Sequence, residues 1–130
     1  MDKSTYLIIL LIAAMFVGAI FFNTPKKYRL RKCTGKDWKT KYPTSANDDI
    51  RKYLNTFVNA FVFDRKHNLK FKPSDKLMDI YRHLYPSKWL ADSLELETFA
   101  DDILEQYGVS LEDIWHDELT LGEVFEQVSA

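Results

Sequence analysis

From Ser4 to Pro25 the chain runs for 22 residues without a charged side chain, and Tyr6 to Phe22 is almost wholly apolar. At about 1.5 Å per residue, an uncharged helix of that length reaches across a hydrocarbon core of about 30 Å. The run therefore predicts a single transmembrane helix, with residues 1–25 as a membrane anchor. A cleaved signal peptide is the competing reading, with Val17-Gly18-Ala19 as the small-residue cleavage site. Against it, the segment before the apolar run holds only Asp2 and Lys3. The run also continues through Ile20-Phe21-Phe22 beyond the cut.

The flanks orient the anchor. Lys26, Lys27, Arg29, Arg31, Lys32, Lys36, Lys39 and Lys41 follow it with Asp37 as the one acid, whereas Lys3 is the only side-chain cation before it. The positive-inside rule then places the C-terminal part in the cytoplasm, at a plasma membrane or a cell inner membrane. Residues 26–42 read as a basic juxtamembrane linker whose Lys26, Lys27, Arg29, Arg31 and Lys32 lie against anionic lipid. Nucleic-acid binding competes for such a patch, but a position beside the bilayer explains it more simply. Cys33 is the only cysteine, so no internal disulfide can form.

Residues 43–130 suffice for one small domain. The net charge of −1 hides an asymmetry: residues 23–42 sum to +7, 43–90 to +4 and 91–130 to −12. Ile50, Tyr53, Leu54, Phe57, Val58 and Phe61 keep the spacing of a buried helical stripe, with Ser45 as its expected N-cap. Pro73-Ser74-Asp75 opens a second, shorter helix with Leu77, Ile80, Tyr81 and Leu84 inward, and Pro86 ends it. Thr120-Leu121-Gly122-Glu123 has capping-box spacing ahead of Val124, Phe125 and Val128.

Between these lies the acidic stretch. Leu94, Phe99, Ile103, Leu104 and Tyr107 recur at helical spacing, and Gly108 follows where a helix would stop. Glu95, Glu97, Asp101, Asp102 and Glu105 occupy the other face, and no Lys or Arg occurs from Ala91 to Ala130. Ser93 heads the helix. A hydroxyl there suits a phosphate attachment, because free N–H groups and the helix dipole favour an anion; an N-cap serine without modification is the plainer alternative.

Asp92-Ser93-Leu94, Glu105-Gln106-Tyr107-Gly108 and Thr120-Leu121-Gly122 stand in the order and register of the acyl carrier protein family, which the last third of the chain resembles. The resemblance implies a small carrier-like four-helix bundle, so that with the expected transmembrane helix before it the whole chain is all-α. It implies 4′-phosphopantetheine on Ser93, flanked by Asp92 and Leu94, and a second helix whose Glu95, Glu97, Asp101 and Glu105 dock basic partner surfaces. Two departures stand out: Leu90 replaces a glycine usual in the family, and Glu97 replaces an apolar residue.

Catalysis has little to stand on. His67 lies in a charged stretch, His83 between aromatics and His116 beside Asp117, with no spacing suited to a metal and no phosphate-binding glycine loop. Two readings follow, neither of them an enzyme. One is a tethered carrier bearing an acyl group on Ser93. The other is a cofactor-less interaction protein, an immunity, adaptor or regulatory subunit, that binds a basic partner. Trp89 and Trp115 serve either as a docking rim or as core, with core expected for Trp115.

Overall fold

The computed structural model describes residues 3–21 (side chains 3–13), 24–84 and 94–130. Its order is α1 Lys3–Phe21, α2 Lys26–Arg29, α3 Gly35–Lys41, α4 Asn47–Ala60, a 3-10 turn Arg65–Lys70, α5 Leu77–Leu84, α6 Leu94–Tyr107, α7 Leu111–Ile114 and α8 Leu121–Val128. The fold is all-α.

Among the described residues no helix is long and apolar enough to cross a membrane, which overturns the expected transmembrane helix. The described part of α1 is short in apolar residues. Its first turn is spent on Lys3, Ser4 and Thr5, and its described part runs to Phe21. Tyr6 to Phe21 is 16 residues, about 24 Å at 1.5 Å per residue, against a hydrocarbon core of about 30 Å. The apolar side chains from Tyr6 to Ile12 are each roughly half exposed or more.

The core is built around α4. Ile50, Tyr53, Leu54, Phe57, Val58 and Phe61 are all buried, as their spacing predicts. The helix begins without a side-chain cap, after Ala46 rather than Ser45. Asp48 and Asp49 still place carboxylates in its first turn, where the dipole favours them. Phe57 forms the centre of an aromatic cluster, with ring centroids 4.7 Å from Phe61, 5.0 Å from Phe71 and 5.6 Å from Phe99. Such offset and edge-to-face pairs add to the burial of each ring.

The basic stretch 26–42, expected as a linker, is part of this core. Tyr28 of α2 and Trp38 of α3 are buried in the same cluster as Phe57 and Phe125. Two buried polar groups of this stretch find partners far along the chain: the Trp38 indole N–H donates to the Phe71 carbonyl at 2.8 Å, and the Thr34 hydroxyl lies 2.7 Å from the carbonyls of Leu69 and Phe71. Arg31 is not left for lipid. It forms a bidentate pair with Asp75 at 2.6 and 3.0 Å, and its guanidinium lies 4.7 Å from the Tyr28 ring centre. Asp75, expected in a helix opening at Pro73, instead holds Arg31 and accepts the Lys72 N–H at 2.7 Å, so that α5 starts at Leu77. Just beyond α1, the buried Thr24 hydroxyl meets His67 Nδ1 at 3.0 Å.

Residues 73–77 and 119–122 zip together through backbone bonds, Leu77 N–H to Leu119 O, Leu121 N–H to Asp75 O and Gly122 N–H to Pro73 O. This seam brings α8 against the start of α5. Thr120 caps α8 by accepting the Glu123 N–H at 3.1 Å, the capping interaction its spacing predicts. Tyr53 donates its hydroxyl to the Leu121 carbonyl at 2.8 Å and so ties α4 to the same helix.

Candidate functional site

α6 packs on α4, and this contact decides which side of it faces water. The inward stripe is Leu96, Phe99, Ala100, Ile103 and Tyr107, with Phe99 and Ile103 fully buried. These positions keep the i, i+3, i+4, i+7 spacing of an apolar face. Leu94 and Leu104, expected inside, are instead 58 % and 53 % exposed. Thr56 of α4 donates its hydroxyl to the Gln106 side-chain carbonyl at 2.8 Å and fixes the rotation of the helix. Gly108 closes α6 at a φ of 69°, the left-handed conformation glycine adopts freely.

Of the expected docking acids, Glu97, Asp101 and Glu105 lie exposed on one face, together with Leu94 and Leu104. Glu95 does not join them. It is buried at 8 % exposure, one step round the helix on the side packed against the domain. Ser93 and Asp92, expected to carry and flank the cofactor, lie outside the described residues, as does Trp89. Leu94, their neighbour, opens α6 and is exposed.

Nearby charges extend the acidic surface. Glu112 and Asp113 on α7 are exposed, as are Asp117 and Glu118 beyond it. Lys76 pairs with Glu118 and holds its carboxyl below the usual carboxylate range. A hydrogen bond from His116, 2.8 Å away, does the same for Glu123. Tyr107, facing α4, has its phenol raised mainly by burial. Among the described residues, no group of three or more His, Cys, Asp or Glu side chains is placed to hold a metal ion.

One feature escaped sequence reasoning. Between α6 and α7 runs an apolar cleft of about 320 Å³, lined by Leu96, Ala100, Leu111 and Trp115, with Glu97 and Glu112 as its acidic members. Trp115, expected in the core, stands at this cleft with 36 % of its surface exposed. Part of a signal was present: Leu96 and Ala100 are four apart on one face of α6, while Trp115 follows α7 as its extended C-cap residue, four positions after Leu111. Nothing in the sequence says that the two faces meet.

The glycine of Thr120-Leu121-Gly122 has a packing reason. A Cβ at Gly122 would sit 2.7 Å from the Tyr42 hydroxyl and 2.9 Å from the Pro73 carbonyl. Tyr42 in turn donates to the Gly122 carbonyl at 2.9 Å. Comparison of the chain with family models, with curated proteins and with solved structures returned no match.

Proposed function

We propose that this protein is a docking module which binds a basic surface of a partner protein through the exposed face of α6. The observation that supports the reading is the grouping of Glu97, Asp101 and Glu105 on one side of a helix held rigidly by α4, in a segment with no Lys or Arg. Aligned carboxylates of one sign raise the rate and fix the orientation of encounter with a cationic partner. Two Leu side chains within the same face, Leu94 and Leu104, add apolar contact. Lipid is the second partner. The apolar side chains from Tyr6 to Ile12 are each roughly half exposed or more, and Lys26, Lys27 and Lys32 are exposed beyond α1 for anionic head groups.

One experiment tests both halves. The full chain is mixed with vesicles and floated, then titrated with deca-lysine on neutral phosphatidylcholine. We expect flotation that strengthens with phosphatidylglycerol. We also expect salt-sensitive peptide binding that weakens at least about tenfold, 1.4 kcal/mol, in the Glu97→Lys, Asp101→Lys, Glu105→Lys triple variant. Unchanged binding by that variant sinks the docking half, and a chain that stays at the bottom of the gradient sinks the lipid half.

The acyl-carrier reading is the second one, favoured by α6 ending on Gly108 and by α8 being capped by Thr120, about one residue ahead of the carrier spacing. Co-expression with a broad-specificity phosphopantetheinyl transferase and measurement of intact mass checks it. A gain of about 340 Da, absent in Ser93→Ala, supports the carrier; an unmodified chain removes it.

A further inference from the structure

We infer that the cleft between α6 and α7 seats a basic amphipathic helix of the partner, taking one large apolar side chain between Leu96, Ala100, Leu111 and Trp115. The inference rests on the docking reading above and names the chemistry of what docks. Its first support is shape. Ala100 contributes only a methyl group where its neighbours on the stripe are Leu96, Ile103 and Tyr107, which leaves a notch in the face of α6. Across the notch, Leu111 is buried and forms the floor, while the indole of Trp115 stays partly open to solvent. Trp is the side chain most often found at the energetic centre of protein interfaces.

The second support is charge. Among the described residues the charged lining of the cleft is Glu97 and Glu112, both exposed, and Asp101 and Asp113 stand next along the two helices. A site built for a fatty acid or a phosphorylated lipid would set a cation or convergent hydrogen-bond donors over its apolar floor. Carboxylates there repel such anions and attract Lys or Arg. A helix that carries apolar anchors at i, i+3 and i+4 with cations beside them satisfies both parts of the cleft at once. The exposed Leu104, on the next turn of α6 beyond Ala100, lengthens the apolar track such a helix would follow.

The test uses the full chain in phosphatidylcholine nanodiscs, with Trp89→Phe as background so that emission changes report Trp115; Trp38 is fully buried and stays constant. The probes are a 15-residue Leu/Lys amphipathic peptide, its Ser/Lys version without apolar anchors, and dodecanol. The Leu/Lys peptide is expected to shift Trp115 emission to the blue, saturably, and to bind at least about tenfold more tightly than the Ser/Lys peptide. Ala100→Phe, which fills the notch, should abolish that difference and leave Ser/Lys binding unchanged. Trp115→Ala, at an exposed loop position and followed by calorimetry, should do the same should Ala100→Phe disturb folding. Equal binding of the two peptides overturns the cleft inference and leaves the acidic-face reading standing. Binding of neither overturns both. A blue shift with dodecanol and none with the Leu/Lys peptide assigns the cleft to an aliphatic chain and overturns the inference.

Discussion

Trp38→Ala is expected to lower the stability of the fold by about 4–8 kcal/mol, enough to unfold a domain at the low end of the usual range. Removing a large buried aromatic costs about 3–5 kcal/mol, against a total stability of about 5–15 kcal/mol for a domain of this kind. Trp38 is fully buried, meets Phe125 edge-on at 5.7 Å and lies 6.2 Å from Tyr53, so its loss opens a void between α3, α4 and α8 together. The Phe71 carbonyl also loses the indole N–H that satisfies it, and an unpaired buried acceptor adds about 1–3 kcal/mol. Trp38→Phe keeps most of the packing and should fall between the two. Urea unfolding followed by circular dichroism measures all three chains. A midpoint for Trp38→Ala equal to that of the parent would mean that residues 26–42 are not part of the cooperative unit.

The second large effect is expected at Gly122, where the sign runs against helix propensity. In an exposed helix interior, alanine stabilises by about 1 kcal/mol over glycine. Here the added methyl would approach the Pro73 carbonyl to 2.9 Å and Pro73 Cβ to 3.0 Å, and the carbonyl is backbone that cannot swing away. Gly122→Ala should therefore destabilise by about 1–3 kcal/mol, the range for overpacked sites. It should also loosen the seam between residues 73–77 and 119–122. Tyr42→Phe in the same chain removes the 2.7 Å contact with the phenol oxygen and should recover part of the loss. Gly108→Ala is the control: no atom lies within 4 Å of its added Cβ, so only the left-handed φ of 69° is penalised, by about 1–2 kcal/mol. If Gly122→Ala raised the thermal midpoint, the close approach of α8 to Pro73 would be wrong.

Much of the architecture follows from local pattern. The stripe Ile50, Tyr53, Leu54, Phe57, Val58, Phe61 needs only the 3.6-residue period to be recognised, and all six are buried. The same holds for Leu77, Ile80 and Tyr81, for Val124 and Phe125, and for the Thr120 cap. Where the pattern was ambiguous, it misled. In residues 94–107 the leucines at 94, 96 and 104 cannot all face inward, and propensity does not choose among them. The acids fared likewise: Glu95 and Glu97 look equivalent in sequence, yet one is buried and the other exposed. Docking against α4 made the choice.

Taken alone, the sequence determined that this chain is helical, that its C-terminal third is purely acidic, and which faces of α4, α5 and α8 are buried. These depend on periodicity, on caps and on formal charge, each of which is written within a few residues. The tertiary structure decided the rest. The cation Arg31 and the aromatics Tyr28 and Trp38 became parts of the core because Asp75, 44 residues from Arg31, and the Phe71 carbonyl, 33 residues from Trp38, meet them in space. The cleft between α6 and α7 exists because two short apolar faces, each unremarkable by itself, are brought edge to edge around the turn at Gly108. Contacts between distant residues depend on how helices rotate and pack, and that information is spread over the whole core rather than held in any one segment.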